Sequence, residues 1–152
     1  MTKKVREPDA GLVDEVLENC LLTRTRSIAR VVTSIYDNAL RSYGVNASQF
    51  SMLVRIARMN GASRAELGRA NHQERSTSTR NLQLLLDEGW VEEVVPERGR
   101  SRPILLSPAG RALMESAMPA WREAQATARK MLGREGAEAL LNIARALPSE
   151  SA

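Results

Sequence analysis

The sequence predicts a mainly α-helical protein with one small β-hairpin set between long N- and C-terminal helices. Three observations carry this expectation. Apolar residues recur at helical spacing through the first forty positions. The period turns strand-like only at Trp90–Val95 and Ile104–Leu106. Helix start and stop signals punctuate the rest of the chain. At 152 residues the chain is long enough to bury a core without disulfides.

Residues 9–43 read as one helix that Asp9 can cap. Its apolar stripe runs through Leu12, Val13, Val16, Leu17, Cys20 and Leu21, then Ile28, Val31, Val32, Ile35, Tyr36, Ala39 and Leu40. About 34 residues is long against a mean of about 11–12, and so long a stripe asks for a long partner, most simply another chain. Gly44 ends it. Asn46 and Gln49 form a capping-box pair that opens a helix with Phe50, Leu53, Val54 and Ile56 on its inner side. Asn60–Gly61 stops that helix. Ser63 and Glu66 form a second capping box before a short helix, and Asn71-His72-Gln73 is a polar turn. Glu74 to Glu88 is a third helix, with Leu82, Leu85 and Leu86 inward and Gly89 at its end.

The hairpin follows. Its two strands are joined by a Pro- and Gly-bounded loop from Pro96 to Pro103. Ser107-Pro108 then starts a helix, with Ser as cap and Pro in the first turn. It runs to about Leu132, breaks at Gly133–Gly136, and a last helix ends near Leu147. The expected organisation is one integrated domain. Residues 1–45 form an N-terminal dimerisation helix, 46–106 a winged helix-turn-helix and 107–152 the C-terminal dimerisation helices.

Composition narrows the function. One cysteine excludes a disulfide framework, and one histidine excludes most zinc sites. No phosphate-cradling glycine loop and no paired nucleophile and base appear, so neither an enzyme nor a cofactor is expected. The charged N-terminus (Lys3, Lys4, Arg6, Glu7, Asp9) does not resemble a signal peptide, and no apolar run approaches the roughly 18 residues of a membrane span. A cytoplasmic protein without membrane contact is expected. The net charge is +4, and only Lys3, Lys4 and Lys130 are lysines. Arginine-rich basicity suits phosphate and base recognition, because guanidinium presents a flat fork of donors.

Three short helices followed by a hairpin are the parts of a winged helix-turn-helix, in which the helix before the hairpin enters the major groove of double-stranded DNA. On that helix Arg75, Ser76, Thr79, Arg80 and Gln83 share one face, opposite Leu82 and Leu85. Such side chains bond to phosphates and base edges. The hairpin loop adds Arg98, Arg100 and Arg102, three like charges that repel one another without an anionic partner. Residues 61–103 nonetheless hold seven arginines and seven acids, so the basic groups must be spatially sorted. The acids are expected at the helix end and on the strands (Asp87, Glu88, Glu92, Glu93).

The chain resembles the MarR family of bacterial transcription regulators over nearly its whole length. Glu74-Arg75-Ser76-Thr77-Ser78-Thr79-Arg80 matches the family's acid-x-Ser-x-x-Ser/Thr-Arg opening of the recognition helix. Leu106-Ser107-Pro108-Ala109-Gly110 matches the Leu-Thr-x-x-Gly that follows the wing. Leu53, Glu66-Leu67, Leu85 and Gly89 fill other landmarks. The resemblance implies a homodimer on a pseudo-palindromic operator, usually a repressor released by a small ligand or by oxidation. By motif position it implies groove contacts for Ser76, Thr79 and Arg80, and makes Arg100 the wing-tip arginine. Two features depart from the family. Arg98 stands where an aspartate commonly braces the wing, leaving Glu97 as the substitute. Asn71-His72-Gln73 replaces a more apolar turn.

The sensing residues are less sharply marked. Cys20 lies on the apolar stripe, where a free cysteine is ordinarily a small buried hydrophobe. The peroxide-sensing branch of the family uses a cysteine near this point, and Arg24, four residues on, is positioned to favour its thiolate. A small-molecule effector cleft would draw on Arg24, Tyr36, Phe50, Met52 and Trp121, although such residues at helical spacing are usually core. A helical protein-interaction module without DNA readout is the alternative from another class.

Overall fold

The computed structural model of the chain describes residues 9–70, 75–95 and 102–147. Its elements are α1 (Ala10–Asn19), α2 (Leu21–Leu40), a 3-10 turn (Arg41–Tyr43), α3 (Ala47–Met59), α4 (Arg64–Ala70), α5 (Arg75–Asp87), β1 (Val91–Glu93), β2 (Ile104–Leu106) and α6 (Pro108–Ala146). Two compact units divide the chain at Ser34 and Ile35. Among the described residues no helix is long and apolar enough to cross a membrane.

In the first unit Asp9 caps α1 as expected, its carboxylate accepting from Gly11 N–H at 2.9 Å. The expected single helix over 9–43 is instead broken at Cys20, whose backbone is extended (φ −71°, ψ 108°). Cys20 closes α1 through its N–H to the Val16 carbonyl, and its own carbonyl accepts from Arg24 N–H, each at 3.1 Å. The side chain of Arg24 donates to the carbonyls of Leu17 (2.8 Å) and Glu18 (3.4 Å), which the break leaves without helical partners. A continuous stripe would need apolar residues near 24 and 25, where the sequence has Arg24 and Thr25. No residue of α1 is buried.

The second unit has two joined clusters of buried side chains. One gathers Met52, Leu53 and Ile56 of α3, Leu67 of α4, Leu82 and Leu85 of α5, Val91 and Ile104. The other holds Leu40, Val45, Phe50 and Ala117. Trp90, Leu113 and Met114 pack against both, which joins the helix-turn-helix to α6. Each fully buried leucine contributes about 1.5–3 kcal/mol.

The local signals resolve as spacing predicts. Asn46 and Gln49 form a complete capping box on α3. At α4, Ser63 N–H and hydroxyl both donate to the Glu66 carboxylate, at 2.8 and 2.6 Å. Gly44 and Asn60 take left-handed backbone at the ends they were expected to mark. The first strand is shorter than the expected Trp90–Val95, because only Val91–Glu93 complete the antiparallel ladder (Val91↔Leu106, Glu92↔Leu105, Glu93↔Ile104). A bridge from Ala62 to Ile104 adds a third edge that no periodicity announces, with Ile104 N–H donating to the Ala62 carbonyl at 2.9 Å. Ser107 caps α6, accepting from Gly110 N–H at 3.0 Å and donating to the Gly89 carbonyl at 2.6 Å. The break after residue 132 is a kink at Gly133 (φ 70°, ψ 165°), inside the expected interval.

Candidate nucleic-acid interface

The outward face of α5 is built from its inward one. Leu82 and Leu85 are buried, and so are Ser78 and Asn81. Asn81 is 8% exposed, and its amide donates to Ser48 Oγ of α3 at 2.7 Å. That bond and the leucines together fix the rotation of α5 about its own axis. Ser76, Thr79, Arg80 and Gln83 are consequently exposed. Gln83 donates to Asp87 Oδ1 at 2.8 Å, so its amide leans toward the acidic end of the helix. Arg75 is the first residue of α5. Its side chain lies outside what the structure describes, as do Asn71, His72, Gln73, Glu74, Glu97, Arg98 and Arg100. Arg102, at the return of the hairpin, is exposed.

Sequence reasoning misses two side chains here and the partner of a third. Asn81 had a signal: it stands four residues before Leu85, on the buried face. Arg64 of α4 had none, and Glu93 of β1, expected as a strand acid, had none for its pairing. Arg64 Nε meets Glu93 Oε1 at 3.0 Å, and Nη2 meets Oε2 at 3.4 Å, across 29 residues of sequence. The hydrogen bond from Arg64 holds the Glu93 carboxyl below the usual carboxylate range, and the charge of Arg102 acts the same way. One of the acids expected to dilute the basic surface is therefore already neutralised by an arginine.

The candidate effector residues divide. Tyr36 donates from its hydroxyl to Gln125 Oε1, and its ring lies 6.3 Å from that of Trp121 at an interplanar angle of 50°. Burial pushes the Tyr36 phenol up, against the opposing charge of Arg129. Phe50 and Trp121 belong to the same apolar cluster. Met52 sits in the other core cluster, and Arg24 is bound to carbonyls of its own segment. The thiol of Cys20 is half-buried rather than core. Its acidity rises because the hydroxyl and N–H of Thr23, one turn into α2, donate to it, outweighing a smaller effect of burial. The cation expected from Arg24 has no part in that.

Residues 43–101 match the sequence pattern of the MarR family. No curated protein matches the chain. Among solved structures, the chain is 32% identical to the Mycobacterium tuberculosis transcriptional regulator MosR in complex with DNA, covering 84% of this chain and 96% of that one at a TM-score of 0.69. A probable transcriptional regulator from Pseudomonas aeruginosa is 26% identical, with 86% and 99% covered and a TM-score of 0.74. An M. tuberculosis MarR family protein in complex with p-aminosalicylic acid is 25% identical, with 82% and 95% covered and a TM-score of 0.64. With the helices and hairpin in this order, the family pattern over the reading head and a relative aligned over nearly its full length, the chain belongs to the MarR family of transcription regulators.

Proposed function

We propose that this regulator is a homodimer that reads a pseudo-palindromic operator and releases it as a ligand-responsive repressor. The observation that carries this is the polar, arginine-bearing outer face of α5 (Ser76, Thr79, Arg80) held over a buried inner face, in a fold shared with a relative solved on DNA. Arg75, Ser76, Thr79, Arg80 and Gln83 meet the major groove, and Arg98, Arg100 and Arg102 grip the flank. Dimerisation is supported by apolar side chains left open on α1 and α2, among them Leu12 (63% exposed), Leu17 (57%) and Leu21 (82%), and by Ile143 and Leu147 near the C-terminus. Exposed apolar surface on that scale marks an interface. The cluster of Tyr36, Phe50 and Trp121 is the effector wall this reading favours, supported by the relative solved with an aromatic acid. An effector releases DNA only by binding one spacing of the two reading heads better than the other.

Hydroxyl-radical footprinting on duplexes that the protein enriches from a random-sequence pool tests this. Two protected half-sites should appear about one helical turn apart, roughly 34–36 Å, and affinity should fall steeply with salt. A single protected patch would remove the dimer. No enrichment at all would leave the protein-interaction module.

The capped thiol favours a second route of release. Hydrogen peroxide would oxidise the Cys20 thiolate to a sulfenic acid, with hydroxide leaving. A Cys20→Ser protein that binds DNA but no longer lets go under peroxide would establish that route, whereas unchanged release would exclude it.

A further inference from the structure

We propose that Glu93 is a positioning residue for DNA binding. Through its forked ion pair with Arg64 it sets the direction in which the wing leaves the helix-turn-helix. This rests on the reading of the chain as a DNA-binding regulator. The two bonds, at 3.0 and 3.4 Å, constrain orientation as well as distance, because a planar guanidinium meets a planar carboxylate edge on. Glu93 occupies the last rung of the ladder, opposite Ile104, and Val94 N–H donates to the Pro103 carbonyl just beyond it at 2.9 Å. Arg64 begins α4, two residues after Ala62, whose carbonyl accepts from Ile104 N–H. Both strands are therefore tied to the entrance of α4 at one level, β2 by backbone and β1 by the ion pair. In sequence, Arg98 and Arg100 fall between these two strands. The charge of Arg102, at the return of the hairpin, also favours the ionised form of this carboxylate.

The sign of the effect separates this role from a general charge effect. Glu93 is an acid beside a surface that meets phosphates. As a surface charge alone it would repel DNA, and Glu93→Gln would tighten binding. As a brace it loosens binding when neutralised, although the protein gains positive charge. Exposed pairs of this kind contribute little to folding, so the fold should be nearly indifferent to the change.

The test uses full-length protein and duplexes enriched by the wild type from a random-sequence pool. Glu93→Gln should bind about two- to fivefold more weakly. Protection should fade at the flanks while the major-groove centres stay protected, with the thermal midpoint unchanged. Exchanging the charges, Arg64→Glu together with Glu93→Arg, should recover the lost affinity that either change alone forfeits. Equal or tighter binding by Glu93→Gln, a loss spread evenly over the whole site, or no recovery in the exchanged pair would each overturn the brace and leave the regulator intact. If the wild type enriches no sequence, the DNA-binding reading fails and the brace fails with it.

Discussion

Gly110→Ala should lower the thermal midpoint by on the order of 10 °C, compared at equal protein concentration. The reason is close approach rather than unusual backbone. A Cβ at Gly110 would lie 2.0 Å from the Trp90 carbonyl oxygen and 2.9 Å from both the Trp90 carbonyl carbon and Leu106 Cδ1. Nothing at that oxygen can yield cheaply. It is backbone, and it already accepts from Ser107 N–H at 3.0 Å. The first turn of α6 would have to withdraw from the end of α5, straining the Ser107 bond to Gly89 and the packing of Leu113 and Met114 on Trp90. Overpacking a tight site costs about 1–3 kcal/mol, and more where a hydrogen bond is lost with it. For a chain of this length each kcal/mol moves the midpoint by about 2–4 °C. A midpoint within a degree or two of wild type would show that α6 does not dock on Trp90 as described. The Leu-Ser-x-x-Gly pattern after the wing thereby acquires a physical reason, since only a residue without a side chain lets the helix start that close to the preceding turn.

Arg80→Ala should weaken binding to the enriched duplex by about 1–3 kcal/mol, roughly five- to 150-fold, if the guanidinium makes a bidentate base contact. Binding to unrelated DNA should change far less, because one phosphate contact among several is lost there. Folding should be unaffected, since Arg80 is exposed. The effect is large because the helix beneath it is immobilised. Ser78, Asn81 and Leu82 are all buried around it, and Asn81 is tied to Ser48. The backbone that carries the guanidinium then has little freedom left to lose on binding, and only the side chain's own rotamers remain to be ordered. Titration by fluorescence anisotropy on both duplexes checks this. An unchanged affinity for the enriched sequence would take Arg80 out of the interface.

The features legible from residues alone are those whose partners lie within one turn. The caps at Asp9, Asn46, Ser63 and Ser107 each close on an atom two or three residues away, so spacing records them. The outward face of α5 was legible for a related reason: helical period alone sorts Arg80 from Leu82 and Leu85. The hairpin and its place in the element order followed from a change of period. The break at Cys20 is not legible in the residues, because the apolar stripe resumes beyond the lapse at Arg24 and Thr25, and spacing alone points Arg24 at the thiol whereas its donors go to two carbonyls.

What only the tertiary structure decided are contacts that exist once distant segments have closed on one another. Arg64 finds Glu93 across 29 residues and Asn81 finds Ser48 across 33, while Ala62 adds an edge to the wing through Ile104. Gly110 is required by the carbonyl of Trp90, twenty residues before it. The sequence by itself determined which helices form, where they stop and which face of the reading helix carries arginine. The folded chain determined how that helix is held and which side chain of α4 meets the first strand. Hydrogen bonds within a turn are dictated by residue order, whereas a bond between segments depends on the angle at which they pack, which no single segment encodes.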